Sequence, residues 1–88
     1  MNNLNIIDTD SVRMNQILSL LSEQAARWQH HIMNTAYPEH EQLEAAKRYH
    51  FYAGSAAYYE AKLQRGRERD ALLRLAAAEL SIWEELSR

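Results

Sequence analysis

The chain has 88 residues, no cysteine, two glycines, one proline and a formal net charge of −2. That length makes one domain, the scarcity of Gly and Pro argues against a turn-rich β fold, and the lack of cysteine excludes a disulfide framework and a thiolate zinc site. No apolar run is long enough to span a membrane, and MNNLNIID lacks the basic start and long apolar stretch of a secretory signal, so a cytoplasmic protein is expected.

Residues 1–7 read as an N-terminal extension to a single helical domain over 8–88. The first helix is predicted over about 9–34. Asp8, Thr9, Asp10 and Ser11 offer N-cap side chains, and Ile7 and Val12 have the spacing of a hydrophobic staple around Asp8. Met14, Leu18, Leu21, Ala25, Trp28 and Ile32 then recur at intervals of 4-3-4-3-4, one apolar stripe of a helix. The pattern breaks over Asn34 to Tyr37.

The second helix is predicted over about 38–65. Pro38 suits its first position, where a missing N–H costs nothing. Glu39, Glu41 and Glu44 then complement the positive end of the helix dipole. Five of the eight aromatic residues of the chain fall in RYHFYAGSAAYYEAK, residues 48–62. At about 100° per residue this helix has three faces. Ala45, Tyr49, Tyr52, Ala56, Tyr59 and Leu63 form a seam of mostly large residues. Ala46, Ala53, Gly54, Ala57 and Ala61 form a line of small ones that lets another helix approach closely. Lys47, Phe51, Ser55, Tyr58, Lys62 and Arg65 form a third face, expected to meet solvent.

Gly66 is expected to end this helix as its C′ residue, with the third helix over about 68–87. A straight helix through Gly66 would aim the apolar residues of its two halves at different neighbours, whereas a break lets both face one core. Short connections make the neighbours antiparallel. The expected fold is thus all-α: a small antiparallel three-helix bundle. Leu72, Ala76, Leu80 and Trp83, flanked by Leu73, Leu75, Ile82 and Leu86, span about half of the third helix. That is wider than one core contact needs, so the bundle is expected to be completed by homodimerisation.

Charge is unevenly spread. Residues 47–69 hold six basic residues against the acids Glu60 and Glu68. Phe51 and Tyr58 sit among these cations, on a helix already expected to be buried on two sides. Either they tuck under a loop or the third helix, or they form a contact surface, since aromatic and Arg residues are enriched where binding energy concentrates. The site expected to bind a partner comprises Lys47, Phe51, Tyr58, Lys62 and Arg65, with Arg67 and Arg69 as its rim. It would suit an acidic surface on a larger protein. The runner-up is a nucleic-acid-binding protein using the basic segment Lys62 to Arg69, whose arginines could contact phosphates. The negative net charge and the acids Glu79, Glu84 and Glu85 weigh against that.

No catalytic residue, cofactor site or metal site is expected. His30 and His31 are adjacent and diverge by about 100°. His40 and Glu44 have ligand spacing but occupy the exposed first turns of a helix, and neither Glu-x-x-His nor His-Glu-x-x-His occurs. There is no Gly-rich phosphate loop, and the serines have no base partner in view. His50 falls on the small-residue face as a hydrogen-bonded seam histidine. Glu79 falls within the apolar face of the third helix. It is expected at a seam edge in reach of water; if buried, it would need a Tyr, Arg or His partner. The expected function is that of a non-enzymatic helical protein-binding module: an adaptor, an assembly factor or an inhibitor of a larger protein.

Overall fold

The computed structural model describes the backbone of residues 2–34 and 36–88, and the side chains of 11–34 and 36–88. Three α-helices follow one another: α1 (Asn2–Ile32), α2 (Glu39–Leu63) and α3 (Gly66–Leu86), with no strand among the described residues. The chain is an all-α three-helix bundle.

The helix ends differ from expectation in instructive ways. α1 starts at Asn2 rather than near Asp8, so the helical backbone runs through the predicted cap. The Ile7–Val12 staple lies outside the described side chains. Pro38 is the N-cap of α2, with φ −57° and ψ 154°, and Glu39 is the first helical residue. A ψ of that size turns the chain out of the helix while the proline keeps its fixed φ. The break at Gly66 is real, but the glycine does not cap α2. Gln64 and Arg65 are extended and separate the helices, and Gly66 opens α3 with φ +61°. That angle lies in the left-handed region, which a glycine enters without steric cost.

The connections make both pairs of neighbours antiparallel. Between α1 and α2 the Asn34 side chain accepts the Ala36 N–H at 3.1 Å, and the Gln42 amide donates to the Asn34 carbonyl at 3.2 Å. Tyr37 stacks on His31 with ring centroids 3.8 Å apart. Higher up, the Arg48 guanidinium lies 4.7 Å over the Trp28 ring. Across α2 and α3, His50 meets Glu79, Phe51 meets Trp83 and Gly54 meets Leu80.

α2 is the middle member. α1 and α3 each pack along it, while among the described residues no Cα of α1 comes within 8 Å of one in α3. The arrangement is long and narrow, 55 × 22 × 19 Å. Its most buried side chains are Ala45, Ala57, Ala61 and Ala76, and no large side chain among the described residues is fully covered. Small residues bring the helices together; Tyr49, Tyr52, Tyr59, Leu63, Leu72 and Leu80 are only half-buried around them.

Candidate functional site

The faces of α2 differ in coverage: on the third, expected to meet solvent, Phe51, Tyr58, Lys62 and Arg65 are exposed, whereas Lys47 and Ser55 are half-buried. Ala45 is buried and the rest of the large-residue seam half-buried. On the small-residue face Gly54, Ala57 and Ala61 are buried, and Gly54 lies against Leu80 and Glu79 of α3. A Cβ placed on Gly54 would lie 2.7 Å from Leu80 Cγ and 3.2 Å from Glu79 Cβ, so the two helices meet there with no room for any side chain.

The same face holds a hydrogen-bonded pair between α2 and α3. Nδ1 of His50 donates to Oε2 of Glu79 at 2.6 Å, with the two side chains 21% and 18% exposed. Glu79 is therefore not a carboxylate extended into water at a seam edge: register brings it opposite His50, and the pair shares one partly buried site. His50 is the hydrogen-bonded seam histidine that its position suggested. Removing one partner leaves the other half-buried without its bond, which costs about 1–3 kcal/mol. Glu79→Leu is expected to lower stability by that amount in urea unfolding. Glu79→Gln, which keeps an acceptor oxygen, should lose less. Equal losses would mean that a neutral acceptor cannot replace the carboxylate.

On the third face Phe51 is 40% exposed and Tyr58 45%. Lys62 extends over both neighbouring tyrosines, its Nζ 4.9 Å from the Tyr58 ring and 5.3 Å from the Tyr59 ring. Each such contact is worth about 0.5–1 kcal/mol at an exposed position, enough to hold the ammonium beside the rings. Lys47 pairs with Glu44 at 3.0 Å. Arg65, Arg67 and Arg69 are all exposed around the α2–α3 connection. From Lys47 to Arg65 this surface extends about 27 Å, at 1.5 Å per helical residue, so Phe51 and the arginine rim occupy different parts of one elongated strip.

Phe51 is not isolated. Its ring centroid lies 5.5 Å from that of Trp83 on α3. With Glu44, Lys47, Arg48 and Tyr52 the two rings line an open hollow of about 310 Å³. Trp83 and Arg48 were absent from the sequence-derived site. The signal for Trp83 was its place in the central apolar stripe of α3 with Leu72, Ala76 and Leu80, but joining it to Phe51 needs the register of the two helices. Leu43 is also exposed, since α3 ends before reaching that level of α2.

No group of three or more His, Asp or Glu side chains able to hold a metal ion occurs among the described residues, and none of their helices is long and apolar enough to cross a membrane. The chain matches no protein-family model, no curated protein and no solved structure.

Proposed function

We propose that this chain is a non-enzymatic, cytoplasmic protein-binding module, self-associating through α3, that docks on an acidic surface of a larger protein through the exposed face of α2. The observation that carries the docking surface is the pairing of Phe51 and Tyr58, exposed on a helix otherwise covered on two sides, with the Lys62 ammonium held against Tyr58. Rings supply apolar contact at low entropic cost, and the cations around them select an acidic partner. An adaptor, an assembly factor and an inhibitor would all use such a strip.

The exposed arginines 65, 67 and 69 keep nucleic acid as the rival. Affinity capture from host lysate, with and without nuclease, separates the two. A partner retained after nuclease and lost from the Phe51→Ala/Tyr58→Ala variant supports the protein-binding surface. Capture abolished by nuclease, with duplex binding that weakens steeply as salt rises, would replace it.

A further inference from the structure

α3 uses only part of its apolar surface within the chain. Ala76 is buried, and Leu80 and Glu79 lie against Gly54. A second stripe, Ala71, Leu75, Ala78 and Ile82, follows a 4-3-4 spacing and is exposed at every position, with Leu75 50% and Ile82 41% accessible. At about 100° per residue these four fall within a 60° sector centred about 130° around the axis from Ala76. Among the described residues nothing covers them, because there α3 packs only on α2.

The molecule also shows more surface than its mass predicts. Its accessible area is 6709 Å² at 10.3 kDa, whereas a folded monomer of that mass exposes about 5,400 Å². The excess of about 1,300 Å² is more than the roughly 800 Å² that each partner contributes to a standard interface, and the elongated row of helices accounts for part of it.

We infer that the covering surface is a second copy of this chain, with α3 packed antiparallel on the partner's α3 about a two-fold axis between residues 76 and 77. Two features of the stripe select this partner and this direction. The first is size. Antiparallel pairing about that axis sets Leu75 opposite the partner's Ala78 and Ile82 opposite the partner's Ala71, so every large side chain meets a small one. Parallel pairing would set Leu on Leu and Ala on Ala, leaving crowding and gaps in alternate layers. The second is charge. Arg67 and Glu85 lie on one rim of the stripe, at opposite ends, and the antiparallel arrangement brings each Arg67 beside the partner's Glu85. The parallel one would leave the two copies of this rim on opposite sides of the seam, with neither charge in reach of its opposite. Glu85 has Arg88 3.7 Å away within the chain, yet keeps 68% of its side chain exposed to receive a second cation.

This inference rests on the self-association clause of the proposed function and is independent of the α2 docking face. Sedimentation equilibrium should show a dimer that Leu75→Glu weakens at least tenfold without loss of helicity. Because the chain has no cysteine, direction can be read from single thiols. Oxidising a mixture of Ala71→Cys and Ile82→Cys copies should give a cross-linked heterodimer, while each alone stays uncross-linked, its two thiols being some 16 Å apart along the helix pair. Cross-linking of Ala71→Cys to itself would overturn the antiparallel seam, and a dimer untouched by both Leu75→Glu and Ile82→Glu would place the interface elsewhere while leaving self-association standing. A wild-type chain still monomeric at about 100 µM, weaker than a Kd of that order, would remove both, and leave capture through Phe51 and Tyr58 unaffected.

Discussion

Gly54→Leu is expected to cost at least about 3 kcal/mol, the upper range for forcing extra carbons into a packed interior. For a domain of this size that lowers the melting temperature by more than about 10 °C. The direction is informative because a glycine inside a helix ordinarily costs about 1 kcal/mol relative to alanine. At an open site, adding a side chain would help. Here the first added carbon already meets Leu80 Cγ at 2.7 Å and Glu79 Cβ at 3.2 Å, so even one carbon requires Leu80 to shift and a leucine needs far more room. The backbones of α2 and α3 would have to separate, and the His50–Glu79 pair, held at 2.6 Å one turn away, would stretch with them. Leu80→Ala in the Gly54→Ala background should recover part of the loss, since space removed on one helix is returned on the other. Gly66 is the control. A Cβ there meets nothing within 4 Å, and only its φ of +61° resists substitution, at about 1–2 kcal/mol. A Gly54→Leu chain as stable as wild type would mean that the two helices do not approach closely at this point.

Replacing Phe51 and Tyr58 together by alanine should separate binding from folding. Each ring is a little over half covered within the chain. Full burial of a large apolar side chain is worth about 1.5–3 kcal/mol, so the pair should cost about 2 kcal/mol of stability, most of it from Phe51 and its contact with Trp83. Two aromatic anchors in a protein interface contribute about 2 kcal/mol or more each, so affinity for the partner should fall about a thousandfold. Tyr58→Ala alone is the cleaner probe of the docking surface, because Tyr58 is the more exposed of the two rings and its aromatic and cation contacts, with Tyr59 and Lys62, lie on α2. Unfolding of the Tyr58→Ala chain would assign that ring to the core, and unchanged capture by the double variant would end the docking proposal.

What could be read from the chain was whatever repeats along one helix. The interruptions at Pro38 and Gly66, the three faces of α2 and the excess apolar width of α3 are all consequences of a period near 3.6 residues, and they survive in the structure. Contacts that depend on how two helices slide past each other were not legible. Glu79 was expected to reach water because its neighbours on α3 give no hint that His50, 29 residues earlier, lies opposite. Trp83 was absent from the site for the same reason. The ends of helices were missed on different grounds. Asp8 and Ser11 look like caps, yet the backbone from Asn2 is helical through them, because a polar side chain that can cap can also stand on the surface of a longer helix. At the other boundary the glycine was identified correctly as a break and assigned to the wrong side of it, since a positive φ can close one helix or open the next.

The separation of α1 from α3 gives this chain the thermodynamics of a short row rather than of a ball. Among the described residues each outer helix is coupled to the other solely by way of α2, so either can detach while the remaining hairpin persists, as in arrays where only adjacent units interact. Amide exchange should accordingly be slowest in the central helix and faster in the two flanking ones, which open as separate cooperative segments.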